Sequence, residues 1–159
     1  MRIGYGYDVH RLKEGRECVL CGVHIPYGYG PDGHSDADVP VHALIDAILG
    51  AAAKGDIGAR FPDGGDAWRG ANSLELLQIA WSETAAMGYA LGNADITIIM
   101  QKPKLLPYIG QMRANISDAL GVPPGRVSVK ATTEEGLGFT GGGQGVASSA
   151  VVLLEEMQK

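Results

Sequence analysis

The chain has 159 residues, the size of one domain, and its 45% apolar content suffices for a core and excludes a disordered tail. Thirteen basic residues against 18 acidic ones leave a net charge of −5, so there is no basic excess to meet a polynucleotide or an anionic bilayer. A membrane span needs roughly 20 uninterrupted apolar residues, and even the most apolar segment is broken by Asp46 and Lys54.

Residues 1–6 have neither the apolar run of a secretory signal nor the Ser/Arg-rich character of a transit peptide. Cys18 and Cys21 are too few for a disulfide framework, so the expected compartment is the reducing cytoplasm. Residues 2–12 alternate as a strand, and residues 18–25 read as a short hairpin about Gly22 that ends at Pro26. Residues 28–38 read as loop. Asp38 then caps a helix carrying Leu44, Ile45, Ile48, Leu49 and Ala52, with Pro40 tolerated in its first turn and a stop near Gly55. The Gly/Pro-rich stretch 56–70 reads as a loop too polar for the core.

Asn72 and Glu75 form a capping-box pattern ahead of a helical stripe from Leu76 to Met87. Residues 94–100 are isoleucine-rich and predict a buried strand. Pro107 opens a helix with Ile109, Met112, Ile116 and Leu120 on one face and Gly121 as its C-cap. Residues 127–132 and 146–154 predict two further strands. The order β, ββ, α, α, β, α, β, β describes a single α+β domain over 1–159, with helices on one face of a mixed sheet. The other face then needs a cover, and another subunit is expected to supply it.

Several groups of residues point to chemistry. Asp8 and His10 are two apart in a strand and so leave the same face. With His42 in the first helical turn they offer two imidazoles, a carboxylate and an open position, the donor set of a catalytic zinc site. Each alone is an ordinary polar residue near an element end. Residues 33–38, including His34 and Ser35, precede a helix N-terminus, where a phosphate could lodge. Thr132, Thr133, Glu134 and Glu135 leave a strand with hydroxyls for phosphate and carboxylates for magnesium. Asp56 and Asp63 could accept from sugar hydroxyls. Residues 136–141 match G-x-G-x-x-G, but the valine-rich strand behind them excludes a dinucleotide fold, which requires a helix there. Cys18 and Cys21 read as buried structural thiols and His24 as structural.

Taken together, Gly6-Tyr7-Asp8-Val9-His10, His34-Ser35-Asp36-Ala37-Asp38 with His42, Gly55-Asp56-Ile57-Gly58, Phe61-Pro62-Asp63, Lys104-Leu105-Leu106-Pro107 and Lys130-Ala131-Thr132-Thr133 carry a resemblance. In this order they resemble the 2-C-methyl-D-erythritol 2,4-cyclodiphosphate synthases of the non-mevalonate isoprenoid pathway, across nearly the whole chain. The resemblance implies a homotrimer with sheets packed around a threefold axis and active sites between neighbours. It also implies conversion of a small molecule, 4-diphosphocytidyl-2-C-methyl-D-erythritol 2-phosphate, to the cyclic diphosphate and CMP. By the same resemblance Asp8, His10 and His42 hold zinc or another divalent transition metal, Glu135 binds magnesium or manganese, and His34 and Thr133 stabilise the transition state. Ser35 and Asp63 fall to the methylerythritol part and Asp56 and Gly58 to the ribose. Met100, Lys104, Leu105, Leu106, Ala131 and Thr132 fall to the cytidine pocket, with Ile57, Phe61 and Phe139 as further substrate contacts. The chain departs from the family at Gly142 and Gln144, where many bacterial members carry an arginine and an acid near the threefold axis, so prenyl diphosphates are not expected to bind there. Two other readings use the same residues: a zinc-dependent phosphohydrolase and a non-catalytic trimeric nucleotide-binding module.

Overall fold

A computed structural model describes residues 1–62, 68 and 70–157. Strand β1 (Arg2–Glu14) is followed by the β2 (Cys18–Leu20) and β3 (Val23–Ile25) hairpin, by β4 (Tyr29–Pro31), and by helices α1 (Val39–Ala51), α2 (Ile57–Arg60) and α3 (Ser73–Ala86). Then come β5 (Tyr89–Ile99), α4 (Ile109–Leu120), β6 (Val127–Thr132), the single turn α5 (Gly138–Gly141) and β7 (Gly145–Glu156). The main sheet runs β4-β1-β7-β5-β6, and β6 alone pairs in parallel, with β5. It is the mixed sheet of an α+β domain. Among the described residues no helix is long and apolar enough to cross a membrane.

Alternation along the strands decides the two faces. Cross-strand partners put Asp8, Ser148, Ile98 and Ala131 in one row, and their side chains therefore share a face. On that face α1 lies on β1 and β7, α4 lies on β6, and α3 packs against both helices. Leu44, Ile45, Ile48, Leu77, Ile96, Ile98, Met112, Ile116 and Leu154 are fully buried between these layers, each worth about 1.5–3 kcal/mol of transfer free energy. The opposite face leaves Ile3 75% and Tyr5 65% exposed, with Tyr7, Val9 and Val151 beside them. This is the open face that the element order implies.

Small residues bring α1 unusually close to β1. A Cβ on Gly4 would stand 1.8 Å from the Ala47 carbonyl oxygen, and one on Gly6 would stand 1.9 Å from that of Ala43. Only hydrogen at both positions lets the helix sit low enough for its first turn to reach the strand.

Some expectations need correction. Residues 29–31 form an edge strand, pairing Leu12 with Pro31 and Glu14 with Tyr29, where loop was expected; three residues containing Gly and Pro show no periodicity. The strand predicted from 94 begins at Tyr89, because a bulge between Leu91 and Asn93 interrupts the alternation. The stretch 56–70 is not wholly outside the core: Phe61 is 4% exposed and meets the Trp68 ring edge-on at 5.1 Å. Residues 138–141 do form one helical turn, but a strand follows, so the dinucleotide reading stays excluded. At the hairpin, Cys21 and Gly22 both have positive φ, 48° and 69°, as two-residue connections favour.

Candidate active site

Asp8 and His10 project from β1 toward the first turn of α1, where His42 waits. One ligand atom from each lies within 4.8 Å of the others. Asp8 Oδ2 is 3.1 Å from His42 Nδ1 and 3.3 Å from His10 Nε2. The His10 ring is held from behind, its Nδ1 donating to the Asp32 carbonyl at 2.6 Å; a carbonyl only accepts, so Nε2 is the atom left to face Asp8. Arg16 in turn fixes that loop by donating to the Gly33 carbonyl at 3.1 Å.

The start of α1 is anchored by Asp38, a fully buried N-cap. Its carboxyl accepts from the hairpin N–H groups of Cys21 at 2.8 Å and Gly22 at 2.7 Å. Burial pushes this group up to about 7, the Gly22 and Cys21 donors opposing and the Asp36 charge adding to the rise. For Asp8, burial acts upward but the neighbouring His10 and His42 imidazoles prevail, holding it well below the usual carboxylate range. The hydrogen bond to Asp8 raises His10 above the ordinary imidazole value, against its partial burial. The cluster thus draws positive charge to itself. One carboxylate oxygen and two imidazole nitrogens at this spacing suit a divalent cation of the zinc type.

His34, Ser35, Ile57, Gly58 and Phe61 join Asp8, His10 and His42 around one hollow of about 280 Å³, with Val9, Trp68 and Leu76 completing its wall. Asp46 accepts from the Ile57 N–H at 2.7 Å and so pins the α2 segment to α1. Asp56 caps α2 by accepting from Ala59 N–H at 2.7 Å and is not part of that wall. Asp63 lies outside the described residues.

A second hollow, about 220 Å³, is lined by Met100, Lys104, Leu105, Leu106, Ala131, Thr132 and Thr133. Thr133 Oγ1 accepts from the Glu135 N–H at 3.3 Å, keeping that acid at the same strand end. Lys130 is committed to Asp95 at 2.5 Å, and this hydrogen bond lowers the Asp95 carboxyl. Within one chain the two hollows stay apart. Asp8 and Ala131 share a row but are separated by β7 and β5, three strand spacings of roughly 4.8 Å each or about 14 Å. Phe139 lies in neither hollow; it borders a third with Tyr7, His10, Arg11 and Gln144.

The chain matches the model of the YgbB family over residues 1–155. It belongs to that family. A family relative from Trichlorobacter lovleyi named 2-C-methyl-D-erythritol 2,4-cyclodiphosphate synthase is 56% identical over 97% of this chain and 98% of its own. A solved structure of a synthase of the same name, in a form bound to CDP, superposes with a TM-score of 0.89 at 41% identity, covering 97% of this chain and all of that one. The bifunctional IspDF of Campylobacter jejuni superposes with a TM-score of 0.95 at 43% identity over 99% of this chain, which spans only 42% of that longer one.

Two residues beside this cluster have no role assigned to them from the sequence. Ser73, the first residue of α3, places its hydroxyl 2.8 Å from His42 Nε2, and Asp36 accepts from the Ser73 N–H at 2.9 Å. Asp36 was legible only as part of the polar run before α1, and Ser73 only as the residue after a cap.

Proposed function

We propose that this chain converts 4-diphosphocytidyl-2-C-methyl-D-erythritol 2-phosphate into 2-C-methyl-D-erythritol 2,4-cyclodiphosphate and CMP, acting as a phosphorus–oxygen lyase. The observation that carries the reading is the convergence of Asp8, His10 and His42 beside a hollow, in a chain alike from end to end to synthases of that name. An oxygen of the substrate's 2-phosphate attacks the β-phosphorus, the bond from that phosphorus to the bridging oxygen breaks, and CMP leaves with the electron pair. The nucleophile belongs to the substrate, so the chain needs no Ser or Cys nucleophile, and positioning can supply about 7–11 kcal/mol of the barrier.

Asp8, His10 and His42 would hold a zinc-like ion and Glu135 magnesium or manganese, and when bound such cations withdraw electron density from phosphate oxygens and offset their charge. His34 and Ser35 orient the phosphorylated sugar over the ligand cluster, and Ile57, Gly58 and Phe61 shape the wall behind it. Asp56 meets the ribose and Asp63 the methylerythritol part. Met100, Lys104, Leu105, Leu106, Ala131 and Thr132 receive the cytidine, and Phe139 flanks the substrate. Thr133, beside Glu135, steadies the diphosphate as charge builds.

A homotrimer completes the reading. It is supported by the apolar open face of β1 and β7 and by the separation of the two hollows, since a neighbour's cytidine hollow can stand beside this chain's ligand cluster. A cytoplasmic location accords with two free, buried cysteines. The phosphohydrolase and the nucleotide-binding module are not favoured by the family's names. Incubating the protein with the diphosphocytidyl substrate and magnesium is expected to release CMP with a cyclic product. Linear phosphates would indicate hydrolysis instead, and absence of CMP would refute both catalytic readings. Sedimentation is expected to show three copies.

A further inference from the structure

A metal can use His42 only through an unprotonated Nδ1, and the surroundings of the other ring nitrogen decide whether that atom is free. Nε2 faces Ser73 Oγ at 2.8 Å, with Ser35 Oγ farther away at 3.3 Å. Ser73 is fully buried, and its hydroxyl is in turn hydrogen-bonded to Asp36 Oδ1. An ionised carboxylate only accepts, so the single hydroxyl proton of Ser73 goes to Asp36 and a lone pair of Ser73 Oγ is turned to the ring. Nε2 must then carry the proton, which leaves Nδ1 bare and 3.1 Å from Asp8 Oδ2.

Without this arrangement the other tautomer has a ready partner. An Nδ1–H would donate to the Asp8 carboxylate in a charge-assisted bond, which is favourable and useless for coordination. Asp36 is well placed to prevent it. Besides Ser73 Oγ it accepts from the Ser73 N–H at 2.9 Å and the Asp38 N–H at 3.2 Å, tying the starts of α3 and α1 to one carboxylate.

We propose that Asp36 and Ser73 are positioning residues that lock His42 in the Nε2–H tautomer, so that Nδ1 is prepared as a metal ligand before any ion arrives. The inference rests on the reading of Asp8, His10 and His42 as divalent metal ligands. Neither residue touches substrate in this role; both act through the imidazole.

The test uses the full chain with two separate readouts. Long-range proton–nitrogen NMR of the metal-free protein, at a pH where the imidazoles are neutral, identifies the His42 tautomer. Competition with a chromophoric chelator gives the Zn²⁺ affinity. The wild type is expected in the Nε2–H form. Ser73→Ala and the nearly isosteric Asp36→Asn are each expected to move His42 toward Nδ1–H and to weaken Zn²⁺ binding by about 10–100-fold, the usual effect of removing a group that orients a ligand. Asp36→Asn carries the test should Ser73→Ala not fold. An Nδ1–H form in the wild type overturns the proposal, as does any folded variant in which the two readouts do not move together. Should the wild type bind no Zn²⁺, the metal reading fails, while the tautomer still judges the relay.

Discussion

Gly6→Ala probes how the ligand cluster is assembled. The new Cβ would stand 1.9 Å from the Ala43 carbonyl oxygen and 2.7 Å from the Ala47 nitrogen, whereas ordinary contact begins at 3.4 Å. Both are backbone atoms of α1, so no side chain can swing aside; the helix must retreat by about 1.5 Å or β1 must bend by as much. His42 directly precedes Ala43, and its Nδ1 now lies 3.1 Å from Asp8. Metal–ligand distances tolerate about 0.2 Å, so the retreat is several times what the site can absorb. Overpacking of this kind costs about 1–3 kcal/mol of stability, and Zn²⁺ binding is expected to weaken by at least about tenfold, each factor of ten being about 1.4 kcal/mol. Urea unfolding reads the first quantity and chelator competition the second. Gly50→Ala is the control: it lies in the same helix with nothing within 4 Å of the added carbon, and is expected to stabilise by about 0.5–1 kcal/mol without touching metal affinity. Wild-type stability and affinity in Gly6→Ala would refute the idea that glycine–helix contact sets the ligand geometry.

His42→Ala is expected to abolish CMP release while leaving the assembly intact; unchanged turnover would remove His42 from the metal set. Because Asp8 raises the His10 imidazole, the metal-free site binds a proton that an ion must displace. Zn²⁺ affinity is therefore expected to be flat at high pH and to fall as pH drops below the raised His10 value, and affinity rising toward acid would contradict this. Burial, helped by the Asp38 charge, pushes the Cys18 thiol from 9.0 up to about 11. At pH 8 that leaves roughly a hundredfold less thiolate, so an aromatic disulfide reagent should label the native protein at least that much more slowly than the unfolded chain, and rapid native labelling would place Cys18 elsewhere. With Gly142 and Gln144 in place of an arginine and an acid, geranyl or farnesyl diphosphate is expected to leave the melting temperature unchanged. A saturable rise would refute that expectation.

Local patterns determined most of the elements. The stripe of Leu44, Ile45 and Ile48 behind Asp38, the cap at Asn72 and the left-handed Gly121 all stand where neighbouring residues placed them, because propensity and capping act within a turn or two. Strand alternation likewise put Asp8 and His10 on one face, and the spacing of motifs along the whole chain disclosed the family. Tertiary structure decided what depends on partners distant in sequence. Residues 29–31 became a strand only because β1 offered an edge, and Phe61 entered the core only beside Trp68. His42 reached Asp8 because Gly4 and Gly6 let a helix settle onto a strand, and the hydroxyl and carboxylate behind its ring came from Ser73 and Asp36, which are 37 positions apart in the chain. Periodicity describes how a segment presents its own faces. It carries no information on which other segment will supply the hydrogen-bond acceptor behind a buried imidazole, since that choice is made by the packing of the whole chain.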